Sequence, residues 1–325
     1  MRRCFTPPSL LLVALLFFGC SEEPAQYPTG SAPSNLLQSV GPPSQFYTVH
    51  WAIENDWAVA LEWIDTQTGL GTSVCVFDIA PHPEYPEAFF TPYGLAFDLD
   101  GTMYTLVNWF DGVQDHSMTR LAKVDRETCS LTYIGEPYPI NMAGPEIDAC
   151  GNVYATGFTV GPPETGGVPT YVWGDSYLYR IDKYTGEATR IGDTGHTEWM
   201  DLDFDSQGRL FVATRGTNRI DIFSPTYEYI ESWEQFGRPN DVFIDEDDTM
   251  YVLDSESGDE RNPGMRRGVY IGSAKDGTLS VFIPGHAEVS EEHGTIGEGV
   301  AVDAAGNIFV GEVSVSGMTM FMPMM

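Results

Sequence analysis

Short runs of alternating apolar and polar residues dominate the chain, and five of them share one pattern. Two such runs flank an Asp-x-x-Gly-like turn in GLAFDLDGTMYTLV (94–107), PEIDACGNVYATG (145–157), DLDFDSQGRLFVAT (201–214), DVFIDEDDTMYVLD (241–254) and GVAVDAAGNIFVGE (299–312). The marker aspartates are Asp98, Asp148, Asp205, Asp245 and Asp303, separated by 50, 57, 40 and 58 residues. Alternation of period two across a tight turn predicts a β-hairpin. The Asp side chain can accept hydrogen bonds from backbone N–H groups of the turn, and Gly supplies a positive φ.

A second hairpin follows several markers, most clearly in LAKVDRETCSLTYIG (121–135) and LYRIDKYTGEATRIG (178–192). The stretch LEWIDTQTGLGTSVCVF (61–77) matches it. Residues 51–64 also fit a helical period, but that match makes them strand. Each repeat is therefore a four-stranded antiparallel meander, and meanders recurring every 40–60 residues predict the blades of a single all-β propeller. Six blades are expected, with residues 46–79 as the first. A five-bladed ring, with 58–79 completing the blade begun at 299–312, is the alternative. Ring closure is expected to mix strands from both ends of the chain.

Composition agrees with many short strands and tight turns: 34 Gly and 22 Pro in 325 residues, with 42% hydrophobic residues to fill a core. Charge is lopsided, with 16 Lys and Arg against 47 Asp and Glu, a formal net charge of −31. That argues against nucleic acid, and against an anionic membrane face, as partners that need a basic patch. A monomer is expected, meeting a protein, glycan or small molecule.

The N-terminus reads as an address. Arg2 and Arg3 precede the apolar run Leu10 to Phe18, which is too short to span a bilayer and right for a signal segment. Gly19-Cys20 follows, and the whole resembles a bacterial lipoprotein signal, in which cleavage precedes the cysteine and lipid is attached to it. Residues 1–20 are thus expected to be the signal and Cys20 the lipidation site. Residues 21–45, rich in Ser, Pro and Gly, form a tether, and 46–325 form the propeller. The membrane is met only through the anchor, in the periplasm or at the cell surface.

Three cysteines remain for the folded domain, Cys75, Cys129 and Cys150, so at most one disulfide forms within it. Cys129 falls in the outer-hairpin turn of the second blade and Cys150 in the marker turn of the third. Both turns point to one face, and these two are the expected pair.

In a meander blade the first strand lines the central channel, and its entry opens on the face opposite the marker turns. Four entry residues are oxygen donors suited to a hard cation: Asp201, Asn240, Asp241 and Glu298. Two further acids, Glu146 and Asp203, lie on predicted inner strands. The run GRPNDVFIDEDDTMYVLDSE, with EGVAVDAAGNIFVGE, resembles the NHL-repeat propellers and is similar to the gluconolactonase (regucalcin-like) and streptogramin-lyase groups. The gluconolactonase resemblance implies a divalent metal held at the channel mouth by a Glu, an Asn and an Asp from separate blades. Glu298-Gly299, Asn240 and Asp201 or Asp241 are the matching types. Ca²⁺ or Mg²⁺ suits that set, and Zn²⁺ or Mn²⁺ suits it if a histidine joins. The lyase resemblance implies a histidine on that face, for which His196 is best placed, working with Asp201.

The loop-bearing face also carries the insertions 157–176, 255–267 and 284–297. Trp109, Tyr171, Trp173 and Arg215 are candidates for a ligand-binding rim there. The tract Arg261, Arg266, Arg267 is the one dense basic spot. No Ser-His-Asp or GxSxG arrangement is present, which excludes a serine hydrolase. Two classes remain at this point: a binding module displaying its loop face, and a metal-dependent hydrolase or lyase with its site at the channel mouth.

Overall fold

The computed structural model describes residues 45–52, 58–65, 71–79, 89–110, 118–148, 150–161, 172–285, 299–303, 305–312 and 317–321. Its strands form six antiparallel sheets taken in chain order. The first holds β1 (Gln45–Ala52), β2 (Ala58–Asp65) and β3 (Gly71–Val76). The second holds β4 (Phe89–Phe97), β5 (Met103–Phe110), β6 (Met118–Val124) and β7 (Leu131–Tyr138). The third runs through β8 (Asn141–Ile147), β9 (Val153–Gly161), β10 (Val172–Ile181) and β11 (Ala188–Thr197). The fourth comprises β12 (Trp199–Phe204), β13 (Leu210–Thr214), β14 (Arg219–Phe223) and β15 (Tyr229–Trp233). The fifth comprises β16 (Pro239–Ile244), β17 (Thr249–Asp254), β18 (Gly268–Ser273) and β19 (Leu279–Pro284). The sixth holds β20 (Gly299–Val302), β21 (Ile308–Glu312) and β22 (Gly317–Phe321).

Each sheet packs face-on against the next. β1 lies against β4, β4 against β8, β8 against β12, β12 against β16, and β16 against β20. The core is divided accordingly into clusters shared by neighbours. Leu61 and Phe77 of the first sheet meet Val107 and Trp109 of the second. Phe211 and Trp233 of the fourth meet Val252 and Tyr270 of the fifth. A strand in the middle of such a stack is covered on both faces, and β13 is buried at every position. The outermost β15 is exposed over its first three residues. Where a helical period competed, the described residues 51–52 and 58–64 are strand, and the architecture is a six-bladed β-propeller. Among the described residues the two terminal sheets stay separate, each built of its own three strands, rather than sharing strands from both ends.

The marker turns form as their sequence requires. Asp148, Asp205, Asp245 and Asp303 each accept, through Oδ1, the N–H groups two and four residues on, at 2.8–3.0 Å. The third residue after each marker is left-handed: Gly101, Gly151, Gly208 and Gly306 at φ 77–83°, and Asp248, the one non-glycine, at 63°. Asp248 takes up the Ser206 N–H and Oγ–H of the neighbouring marker turn at 2.8 and 2.9 Å, an anchor that Gly would not supply.

The expected Cys129–Cys150 disulfide is corrected. Cys129 bonds Cys75, with Cα atoms 5.6 Å apart. Cys129 sits at the outer rim of the second blade and faces the first, where Cys75 lies on the outer strand β3; both belong to the cluster between those blades. Cys150 lies in an inner turn of the third blade, on the far side of the second, where its N–H bonds Asp148.

Candidate functional site

The inner strand of a blade is hydrogen-bonded on one edge only, so its other edge presents backbone N–H groups without ladder partners. Carboxylates of the preceding blade fill this role between the fourth, fifth and sixth blades. Asp203 on β12 accepts the Ile244 N–H of β16 at 2.6 Å through Oδ2, and the Phe204 N–H at 2.6 Å through Oδ1. Asp241 on β16 accepts the Val300 N–H of β20 at 2.5 Å through Oδ2, and the Val242 N–H at 2.8 Å through Oδ1. These acids staple consecutive inner strands around the ring.

Asp201 and Asp241 occupy one repeat position, four residues before their markers. Gly94, Gly144 and Gly299 hold it in other blades. The glycines leave room that the aspartates use. A Cβ at Gly144, where φ is +55°, would meet Asp201 Oδ1 at 2.4 Å, and one at Gly299 would lie 3.5 Å from Asp241 Oδ2. The Asp201 and Asp241 carboxyls come within hydrogen-bonding reach of each other. Burial pushes Asp201 well above the ordinary carboxylate range, and the charge of Asp241 adds to the shift. Burial likewise raises Asp203, reinforced by the charge of Glu146. Glu146 on β8 is pushed up to about 7 by burial and then by the charges of Asp241 and Asp148, against the pull of the Ile147 N–H. Four half-buried acids from three consecutive inner strands thus form one electrostatic unit in the channel wall, with the Glu146, Asp201 and Asp203 carboxyls all raised.

Above them, on the loop face, a network of ion pairs joins the fourth blade to the fifth. Arg215 bonds Glu198 at 3.2 Å and lies 3.7 Å from Glu256. Arg238 bonds Glu198 and Glu256, each at 3.1 Å, and donates to the Arg215 carbonyl and to Asn218. Arg261 adds a further pair to Glu256. Burial alone would raise the Glu256 carboxyl, but Arg215, with Arg261 and Arg238, holds it below its ordinary value. Glu198 and Arg238 each stand seven residues before a marker, a shared repeat position that signals their pairing once the blades are aligned. Sequence reasoning singled out neither of these two, nor Glu256.

The structure sorts the expected site residues. Asp201 and Asp241 converge, joined by Glu146 and Asp203. Asn240 is turned instead onto Arg215, whose Nη1 donates to its Oδ1 at 3.2 Å. Arg215 belongs to this network rather than neutralising Asp201 or Asp241. Trp109 is corrected as a rim residue: it is 4% exposed and packs between the first two blades with Tyr133 at 6.0 Å. Strand alternation points its ring to the neighbouring blade. His196 lies on β11 and Trp173 on β10, but their side chains, like Glu298, Tyr171 and Cys20, fall outside the described residues. Among the described residues, no three His, Cys, Asp or Glu side chains are arranged to hold a metal ion. Both oxygens of Asp203 and of Asp241 are already engaged by backbone donors.

No protein-family model matches the chain, and no curated protein sequence matches it. Solved structures do. A Bacteroides caccae protein of unknown function aligns with a TM-score of 0.52 at 12% identity, covering 82% of each chain. A gluconolactonase of Xanthomonas campestris aligns at 0.50 and 14% identity, covering 83% of each chain. A chain of a nidogen/laminin complex aligns at 0.50 and 14%, covering 75% of this chain and 77% of that one. At such identities the likeness establishes the β-propeller fold and leaves the chemistry to be argued from the site.

Proposed function

We propose that this protein is a lipid-anchored extracytoplasmic propeller that binds a protein, glycan or small molecule through its loop-rich face. The observation that carries the reading is the interblade network of Glu198, Arg215, Arg238 and Glu256. It braces the channel mouth and commits the polar groups that a catalytic centre would need free, Asn240 among them. A rigid rim bearing long loops suits recognition. The signal-like N-terminus supports placement outside the cytoplasm. A second reading, a divalent-metal-dependent hydrolase or lyase, is kept alive by one contact. Gly299, the residue that follows Glu298 in the sequence, abuts the Asp241 carboxylate. Metal analysis of the purified protein, with lactone-hydrolysis assays, separates the two. Binding without turnover predicts no stoichiometric divalent ion. An ion retained by the wild type and lost in the Asp241→Ala, Glu298→Ala double variant, together with turnover, would establish the enzyme instead.

A further inference from the structure

Strand β1 fixes where the N-terminal segment joins the fold. Gln45 pairs with Asp65, the last residue of β2. Tyr47 packs its ring 6.2 Å from Phe97, the residue before the marker Asp98, and lies beneath the Arg126 guanidinium of an outer turn. The chain therefore enters the propeller on the marker-turn face, opposite the loop face.

The same region exposes apolar side chains. Leu99 in the marker turn of the second blade is 54% exposed, Phe97 is 41% and Tyr184 in the outer turn of the third blade is 79%. An ion pair between Asp98 and Lys183 ties these turns together, and the Lys183 ammonium lies 5.4 Å from the Tyr184 ring. Tyr47 and Phe97 touch, and the Asp98–Lys183 pair brings Leu99 and Tyr184 onto adjoining turns, so the four lie in one region across three blades. The Lys183 ammonium is committed to Asp98 and the Arg126 guanidinium stands over the Tyr47 ring, so the patch offers chiefly apolar and aromatic contact. A Tyr with an apolar body and a polar tip, beside Phe and Leu, suits the boundary between lipid headgroups and acyl chains.

We propose that this patch rests on the lipid surface to which the chain is tethered, turning the loop face away from the membrane. The proposal rests on the reading of Cys20 as the lipidated residue. A Ser/Pro/Gly-rich link of the roughly 25 residues between Cys20 and Gln45 has a mean reach of about 25–30 Å, short of the ~50 Å breadth of a domain this size. It therefore favours contact on the face where it joins. The anchor supplies the affinity, and the patch sets the orientation.

The test uses the full chain in its native membrane. A photo-crosslinking benzophenone residue replaces Leu99, Tyr184 or, on the loop face, the exposed Glu260, one at a time. Lipid adducts are read by mass spectrometry, alongside fractionation of the wild type and Cys20→Ser. The expected result is several-fold more lipid adduct from the first two positions than from Glu260, unchanged by high salt and lost in Cys20→Ser. If the wild type does not fractionate with membranes, the anchor reading fails and this proposal with it. If the wild type is membrane-bound but the first two positions label no more lipid than Glu260, only the orientation is overturned. Adducts to a second copy of the chain would likewise overturn it and make the patch a protein interface.

Discussion

Gly144 shows how a residue can be read for its type and misread for its purpose. Its place before a marker is visible from the repeat, and so is the Asp at the equivalent place in the fourth and fifth blades. What the repeat does not show is that one blade's glycine is the cavity for the next blade's aspartate, because that relation exists only across a blade interface. Four of the marker aspartates, Asp148, Asp205, Asp245 and Asp303, were legible for the opposite reason: their partners lie two and four residues away, within the alternating pattern itself. The Cys75–Cys129 pair was illegible because 54 residues separate its ends and adjacency is set by the outer rim of two blades. The expected cost of Gly144→Ala follows from the contact. A side chain at φ +55° costs about 1–2 kcal/mol by itself, and the overlap with Asp201 forces further movement. Urea unfolding should show at least about 2 kcal/mol of destabilisation, and a variant as stable as the wild type would mean that Asp201 has another place to go.

At the level of elements, the inner strands explain why so many acids gather in the channel. An edge strand must satisfy its outward N–H groups, and a carboxylate from the preceding blade does so at short range. The resemblance to metal-binding propellers pointed to Asp201 and Asp241 as ligands. The structure brings the two together, but with Glu146 and Asp203 beside them and with Asp201 raised by burial and by its neighbours' charge. The consequence is a pH dependence of defined sign. The folded-state value of Glu146 is raised, to about 7 from an ordinary 4.5, so below the ordinary value both folded and unfolded chains are protonated and nothing is lost. As pH rises from there, the unfolded chain releases its proton first, and stability falls until the folded group also ionises near 7. The loss from this one group is on the order of 3 kcal/mol at most. Glu146→Gln should therefore flatten the decline between pH 4.5 and 7 relative to the wild type. Parallel curves for the two proteins across that range would show that Glu146 titrates normally in the folded ring.

For the whole molecule, the question is what holds adjacent blades in register when their packing is largely apolar and therefore weakly directional. The interface of the fourth and fifth blades answers it with Arg238, which reaches Glu198 and the Arg215 carbonyl in one blade and Glu256 in its own. Its side chain is 12% exposed, against 57% for Arg261, which pairs with the same Glu256. Removing a partner from a buried pair leaves the other charge uncompensated, whereas removing an exposed partner leaves a group that water can reach. Arg238→Ala should accordingly cost about 3 kcal/mol in urea unfolding, and Arg261→Ala less than about 1 kcal/mol. The deeper variant should also change the rim. With only Arg215 left to bridge Glu198 and Glu256, the link between the two blades at the loop face weakens, and amide exchange in Arg215–Asn218 and Ser255–Ser257 should quicken before exchange in the buried β13. If Arg238→Ala and Arg261→Ala prove equally mild and the exchange pattern is unchanged, the network is surface ornament. The rigid rim on which the binding reading depends would then need another source.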